Sequence, residues 1–231
     1  MNPPYFDSFS KGYVAIHKAS LGIAGSRREY FGAHKVTTTA AALAMQPDRI
    51  LEFGCGVGSN LPHLRACFPK AALFGCDVST ASLEEAKAVA PEVSFFDIAK
   101  PNDLLQWRGS FDLVFIANVF HHILPQERDA WLGQIVPVLR PQGRLAFFEH
   151  NPLNLLTRYM VSRCPFDAEA HLLSQVEATC LLRRGGLVVD ETKFLYPFPF
   201  LARASRLADR LLYRLPLGFQ YFIIASKNGE V

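Results

Sequence analysis

The sequence predicts an α/β protein built on a mostly parallel β-sheet with helices on both faces. Short apolar runs of strand length alternate along the chain with helical segments, and this alternation implies βαβ crossovers between parallel strands. A glycine-rich loop follows the first of these runs, and an acidic residue ends the second. With 231 residues, about half of them apolar, the chain is long enough for one domain with a substantial core.

The hydrophobic pattern sets the order of the elements along the chain. Strands are predicted at 49–53, 71–77, 92–96, 111–117, 143–149, 187–196 and 219–227. Helices are predicted near 59–67, 79–90, 126–139 and 167–184. Residues 1–46, aromatic early and alanine-rich late, are expected to form a helical N-terminal cap of two helices, which Pro47 ends. Residues 47–231 are expected to form the domain that holds the sheet.

The composition favours a soluble, cytoplasmic protein that does not bind nucleic acid. The formal net charge is +3 and 19% of the residues are charged, without a long run of lysine or arginine. The five cysteines form no CxxC pair and no histidine–cysteine pair at zinc-ligand spacing, so we expect reduced thiols and no metal site. The first residues lack the pattern of a signal peptide, and no apolar run approaches the roughly 18 residues that span a bilayer.

The glycine-rich loop lies directly after the first predicted strand, in RILEFGCGVGSN at residues 49–60. Gly54, Gly56 and Gly58 alternate there, and glycine both tolerates a positive φ and lets a ligand approach the main chain closely. Asp77 ends the next strand, where a carboxylate can accept hydrogen bonds from both hydroxyls of a ribose. The pairing predicts a nucleoside-containing cofactor at the carboxyl ends of the strands.

The loop departs from the fingerprint of dinucleotide-binding proteins. The pattern G-x-G-x-x-G needs a glycine at position 59, where this chain has Ser59. Glu52, inside the first strand, would oppose a pyrophosphate but suits a cofactor that carries an ammonium and a sulfonium group. A nicotinamide-dependent dehydrogenase is therefore disfavoured.

Five successive motifs carry a resemblance to a known family. These motifs are LEFGCGVG, GCDVS, FFDIA, FDLVFIANVFHH and VLRPQGRLAFFEH. In the order and spacing of these motifs, the chain resembles the class I S-adenosylmethionine-dependent methyltransferases. The resemblance covers roughly residues 47–150, and the terminal GFQYFIIASK is similar to the family's antiparallel last strand. It implies a Rossmann-like, seven-stranded sheet with an insertion between its last two strands. The turn before the fifth strand departs from the family's two glycines, with Gly143 expected to supply the flexible position in Pro141-Gln142-Gly143.

The resemblance implies S-adenosylmethionine as the cofactor and gives its contacts by position. The implied cofactor-binding residues are Glu52, Gly54, Cys55, Gly56, Gly58, Asp77, Val78, Asp97, Ile98 and Asn118. Glu52 would organise the glycine loop and reach the cofactor's amino group, and Asp77 would bind the ribose hydroxyls. Asp97 would accept from the adenine amino group, unless it only caps a turn. Asn118 would offer its carbonyl to the methionine end.

Methyl transfer needs a general base only when the acceptor is an alcohol, a phenol or a carbon acid. The candidates for that base are His121 and His122, which follow the fourth strand, and His150, which ends the fifth. The histidine pair is similar to that of small-molecule methyltransferases, including the quinone-biosynthesis type. A structural role in a cap or an interface is the alternative for each histidine. Glu149 and Asn151 are expected near the acceptor side.

The function predicted from the resemblance is methyl transfer to a small molecule, with an oxygen acceptor slightly preferred to nitrogen or carbon. The alternative is a protein of this fold that binds the cofactor but catalyses a cyclisation or an isomerisation. The N-terminal segment and the insertion after the sixth strand lie outside the cofactor motifs. The resemblance implies that such additions cover the acceptor pocket, and lid elements are expected at 151–170 and 197–216. The phenylalanines and tyrosines of the N-terminal segment and of the region around the sixth strand favour an apolar or aromatic acceptor, unless they only pack in the core.

A basic stripe lies within the second of these segments. Its arginines recur at helical spacing: Arg203, Arg206, Arg210 and Arg214. The stripe is either the solvated side of a surface helix, or part of a lid or membrane-surface helix over 200–215.

Overall fold

The computed structural model describes residues 28–99, 103–196 and 212–228. Their seven strands form one sheet in the order β3-β2-β1-β4-β5-β7-β6. The strands are β1 (Arg49–Phe53), β2 (Ala72–Asp77), β3 (Ser94–Asp97), β4 (Phe111–Ala117), β5 (Leu139–His150), β6 (Leu187–Leu195) and β7 (Gln220–Lys227). Strand β7 runs antiparallel to both of its neighbours, whereas the pairs from β3 to β5 are parallel. The predicted fold class is confirmed.

Six α-helices accompany these strands in the described ranges. They are α1 (Arg28–Ala42), α2 (Leu61–Cys67), α3 (Thr80–Val89), α4 (Arg128–Val138), α5 (Leu155–Arg163) and α6 (Gln175–Arg184). Short 3₁₀ turns lie at Leu105–Trp107, Phe120–His122, Pro125–Glu127 and Pro165–Asp167.

The helix predicted at 167–184 is wrong at its start, since only its second half forms α6. Ser174 and Glu177 close a reciprocal capping box there, and this pair satisfies the free N–H groups of a helix that begins at Gln175. Of the residues predicted as helix before it, Asp167 ends a 3₁₀ turn that begins at Pro165, and residues 168–174 form no helix. The sequence analysis predicted no helix over residues 155–163, where the structure has α5.

Strand β5 also begins earlier than predicted, and its turn works differently. Gln142, with a φ of 63°, takes the left-handed conformation that was expected of Gly143. Gly143 is needed for space instead, because a Cβ there would lie 2.9 Å from the carbonyl oxygen of Arg140. The register of β4 against β5 shifts between Phe111 and Leu113 of β4, so the turn lies within the continuous strand β5.

Both faces of the sheet are covered, which leaves the strand ends as the place for a ligand. Leu51 and Phe53 pack on the side of α4 and α6, and Ile50 packs on the side of α2 with Leu61. Alternate residues of a strand point to opposite faces, so a strand buried on both sides reads as a continuous apolar run. The carboxyl ends of β1, β2 and β4 therefore remain for binding.

Helix α1 corresponds to the second helix of the predicted cap and is anchored to the far end of β6. The ring of Tyr196 packs edge-on against Phe31, with 4.9 Å between centroids, and its hydroxyl donates to the Phe31 carbonyl over 3.2 Å. This contact brings α1 beside the strand ends. The first helix of the predicted cap lies outside the described residues.

Candidate functional site

A cavity of about 230 Å³ opens at the carboxyl ends of β1, β2 and β4. All but Gly58 and Asp97 of the predicted site residues line it: Glu52, Gly54, Cys55, Gly56, Asp77, Val78, Ile98, Asn118, His121, His122 and His150. The sequence motifs, which lie far apart in the chain, thus converge on one place. Lys35 of α1 and Asn60 contribute to the lining as well, although the sequence did not single them out.

The glycine loop is held against β2 by its own main chain. The N–H groups of Gly54 and Cys55 both donate to the carbonyl of Cys76, at 2.8 and 3.0 Å. Gly54 has a φ of 69°, and a Cβ there would lie 2.6 Å from a methyl carbon of Val119. Only glycine fits this position without strain. Gly58 serves packing rather than the cavity, since its α-carbon faces Ala86 of α3.

Asp77 connects the glycine loop to the turn after β2. Its Oδ2 accepts from the Gly56 N–H over 2.8 Å, and its Oδ1 accepts from the Ser79 N–H over 2.9 Å. Burial raises the pKa of Asp77, while these two N–H groups counteract the increase. Each carboxylate oxygen can accept a second hydrogen bond. Asp77 can therefore shape the loop and still bind a hydroxyl in the cavity.

Glu52 presents a buried carboxylate oxygen without a partner. Its Oε1 accepts from Asn60 over 2.7 Å, but its Oε2 has no hydrogen-bond partner among the residues that the structure describes. Burial raises the pKa of Glu52 to about 8, against the lowering effects of Asn60 and of nearby Lys35. An unsatisfied buried acceptor is costly, so this position fits a cationic hydrogen-bond donor.

Asn118 and Gln220 form a polar pair that the sequence revealed only in part. Asn118 has a φ of 59°, and its Oδ1 accepts from the Gln220 side chain over 3.2 Å. The other Gln220 side-chain atom, Oε1, is buried and has no partner within the described ranges. Gln220 was missed because it is the first residue of the last strand, and only the position of β7 next to β5 brings it to the cavity. Its one signal is a polar residue inside an apolar strand.

Asp97 and Ile98, at the end of β3, differ in their exposure and in their position relative to the cavity. Ile98 is buried and lines the cavity, whereas Asp97 is exposed and does not appear in the lining. The Oδ1 of Asp97 accepts from the Ala99 N–H over 2.6 Å, as expected of an aspartate that caps a turn. Its contact with an adenine amino group stays a prediction.

Glu149 holds the loop after β4 in place through hydrogen bonds to the main chain of that loop. Its Oε1 accepts from the N–H groups of Val119 and Phe120, at 2.8 and 2.6 Å, and its Oε2 lies 2.6 Å from Nδ1 of His121. Burial disfavours the ionised form of Glu149, but the attraction of His121 outweighs burial and lowers the pKa of Glu149 to about 2. Glu149 thus positions a loop, and it is not among the residues that line the cavity.

Asp167 joins the two adjacent histidines. Its Oδ1 lies 3.4 Å from Nε2 of His121 and 3.6 Å from Nε2 of His122. The burial of His121 favours the neutral ring, but Glu149 and Asp167 outweigh it and raise the pKa of His121 to about 10. A ring that keeps its proton at neutral pH is a poor general base. His122 and His150 therefore remain as the candidates for a general base.

His122 and His150 are neutral rings at the cavity wall. Burial lowers the pKa of His122 to about 3 and that of His150 to about 4, and the charge on His121 adds to both effects. The His150 ring lies 5.0 Å from that of His121, and its Nδ1 is buried without a partner among the described residues. His150 therefore offers a ring nitrogen to a ligand.

Part of the segment predicted as a lid lies along the cavity. Met160 and Val161 of α5, with Phe166 of the next turn, give this end an apolar wall. Asn151 is structural, because its side chain donates to the carbonyls of Pro216 and Gly218, at 3.0 and 2.8 Å.

The rest of the predicted lid lies mostly outside the described residues. Of the basic stripe, only Arg214 falls within them, and it is exposed. None of the helices in the described ranges combines the length and the apolar character needed to cross a bilayer.

Comparison with known proteins shows what part of this chain is similar to. Residues 51–145 match the methyltransferase domain family. Thiocyanate methyltransferase 1 of Brassica oleracea is 33% identical over 102 residues, which are 42% of this chain and 44% of that protein. Trans-aconitate 2-methyltransferase of Escherichia coli O157:H7 (strain EC4115 / EHEC) is 30% identical over 123 residues, which are 51% of this chain and 46% of that protein. The chain thus spans less than half the length of these curated relatives.

Solved structures have a similar fold. Magnesium protoporphyrin IX methyltransferase from Synechocystis PCC 6803, with bound SAH, has a TM-score of 0.65 at 18% identity. The match covers 98% of each chain. At this identity the likeness concerns the fold alone.

Proposed function

We propose that this chain, whose residues 51–145 match the methyltransferase domain family, transfers a methyl group from S-adenosylmethionine to a small-molecule acceptor. The named relatives act on small molecules, thiocyanate in one case and trans-aconitate in the other. The acceptor of this chain is a separate matter, because less than half of each relative is matched.

The observation that supports this function most is the unpaired Oε2 of Glu52 at the cavity. A phosphate-bearing cofactor would be repelled there, because phosphate groups are anionic and offer no donor. A cofactor with an ammonium group and a sulfonium would supply both the charge and the donor that Glu52 lacks. The glycine loop and Asp77 complete a cradle that suits an amino acid joined to a nucleoside.

We place the parts of the cofactor from the residues that line the cavity. The amino-acid end would lie near Glu52 and the Asn118–Gln220 pair, and the ribose would lie at Asp77. The adenine would lie between Val78 and Ile98, both of which are buried and apolar.

The cofactor supplies a methyl group on a positively charged sulfur, which is already a good leaving group. The protein therefore needs mainly to orient the acceptor and to exclude water. Met160, Val161 and Phe166 would exclude water at the acceptor end. His150 would accept a proton through Nδ1 where the acceptor carries one, which is why an oxygen acceptor is preferred.

The test is incubation of the purified protein with methyl-labelled S-adenosylmethionine and a metabolite extract. Mass spectrometry should show a labelled small molecule together with S-adenosylhomocysteine, and a Glu52→Gln variant should lose both. A product without released S-adenosylhomocysteine would instead identify the cyclisation or isomerisation alternative. Failure of S-adenosylhomocysteine to bind in calorimetry would refute both. The expected location for this chemistry is the cytoplasm.

A further inference from the structure

We propose that His121, His122 and Asp167 form a binding site for a divalent transition-metal ion of the zinc type, at the acceptor end of the cavity. All three residues line the cavity, and one ligand atom from each lies within 4.8 Å of the others. Two imidazoles and one carboxylate are a donor set that zinc and similar ions bind, whereas magnesium and calcium prefer oxygen ligands.

The distances between the three residues also fit a shared ion. Oδ1 of Asp167 lies 3.4 and 3.6 Å from the two histidine Nε2 atoms, beyond the 2.7–3.2 Å of a normal N–H···O bond. Ligand atoms bound about 2.0–2.1 Å from a tetrahedral ion are about 3.3–3.4 Å apart. A small movement, with release of the His121 Nε2 proton to solvent, would bring the three atoms to that geometry.

The buried support of His121 is a second, independent observation. Its Nδ1 faces Oε2 of Glu149 at 2.6 Å, so its Nε2 points toward the other two ligands. Histidines that bind metals usually donate their other N–H to a carboxylate in this way, which fixes the ring and its tautomer. Glu149 is itself fixed by the main-chain N–H groups of Val119 and Phe120.

Three protein ligands leave one coordination position for a small molecule. The site lies on the cavity wall beside His150, whose Nδ1 has no partner in the described ranges. An acceptor oxygen bound at that position would be held against the methyl donor and activated by the ion. This role in acceptor binding rests on the proposed function, whereas metal binding itself does not.

The experiment is a titration of the purified protein with zinc chloride after treatment with a chelator. Calorimetry should show one zinc ion per chain with a dissociation constant of micromolar or lower, and magnesium chloride should give no comparable binding. Asp167→Asn should weaken zinc binding at least tenfold. Glu169→Gln, which alters an exposed acid two positions away, should bind zinc like the unaltered protein.

Thermal unfolding separates metal binding from misfolding. Without metal, the two variants should keep the circular dichroism spectrum of the unaltered protein. Zinc should raise the unfolding midpoint of the unaltered protein and of Glu169→Gln but not that of Asp167→Asn. Absence of saturable zinc binding, or equal binding by Asp167→Asn, would overturn the proposal.

S-adenosylhomocysteine binding to the same metal-free protein keeps the two proposals apart. Binding of S-adenosylhomocysteine without binding of zinc would refute the metal site and leave the proposed function standing. Binding of zinc without S-adenosylhomocysteine would support the metal site and refute the proposed function.

Discussion

Nδ1 of His121 and Oε2 of Glu149 lie 2.6 Å apart, and both side chains are almost completely buried. The pair joins the turn after β4 to the end of β5, which are neighbouring strands of the sheet. The carboxylate is the partner on which the charge and the orientation of the histidine depend. Removing this carboxylate would leave a buried charge on His121 and would take an acceptor from four main-chain N–H groups, those of Val119, Phe120, His121 and His150.

Glu149→Ala should therefore lower the free energy of unfolding by about 3–5 kcal/mol, the usual cost of breaking a buried charged pair. Urea unfolding would measure the loss. Asp129→Asn is the matched control, because its pair with Arg184 is exposed and should contribute little. Equal effects of the two substitutions would contradict the supporting role of Glu149.

Gly54→Ala should destabilise the protein by roughly 1–3 kcal/mol, because its φ of 69° is strained for alanine and the new Cβ would meet Val119 at 2.6 Å. Binding of S-adenosylhomocysteine should weaken as well, since the loop lines the cavity. Gly133→Ala is the contrasting control. Gly133 lies within α4 with open space around its α-carbon, so alanine should stabilise the helix by about 0.5–1 kcal/mol. Chemical denaturation should show a lower free energy of unfolding for Gly54→Ala and a higher one for Gly133→Ala. Changes of the same sign in both variants would contradict this geometry.

Asp77→Ala should weaken S-adenosylhomocysteine binding at least about tenfold, or about 1.4 kcal/mol, in calorimetry. It removes both the proposed ribose contact and the acceptor for the Gly56 N–H. Glu85→Ala, an exposed change on α3, should leave the affinity unchanged. Unchanged affinity of the Asp77 variant would refute the placement of the ribose.

Glu52 should make the stability of the ligand-free protein decrease as the pH rises. Its pKa rises from 4.5 to about 8 on folding, so the folded state holds more protons than the unfolded state between these values. Stability falls with pH wherever the folded state binds more protons. Glu52→Gln should flatten this fall between about pH 5 and pH 8 in chemical denaturation, whereas the exposed change Glu84→Gln should not. Parallel curves for the Glu52 variant and the unaltered protein would contradict the shift.

The same carboxylate should make ligand binding depend on pH in the opposite direction. A ligand with an ammonium group favours the ionised form of Glu52, so S-adenosylhomocysteine should bind more tightly as the pH rises toward 8. Calorimetry in buffers of different ionisation enthalpy should detect proton release at pH 7. Glu52→Gln should abolish both effects, and their persistence in that variant would assign them to another group.

Local patterns determined most of the fold. Apolar runs, the capping and stop signals between them, and the glycine loop all act over a few residues, so the sheet and its helices could be predicted. The prediction of a helix over 167–184 was wrong at its start, because a capping box at Ser174 begins α6 and the residues before it form no α-helix back to 167. The S-x-x-E pattern at 174–177 is a local signal for that start, which the helix prediction overlooked.

The sequence by itself determined that the loop after β1 and the acid after β2 belong to one binding site, because strand ends of a parallel sheet meet at one edge. Only the tertiary structure decided the partners of these groups. It set Glu149 beneath His121, brought Gln220 to Asn118 and carried Asp167 to the two histidines. These contacts join distant parts of the chain, and packing between elements, which no local pattern encodes, fixes them.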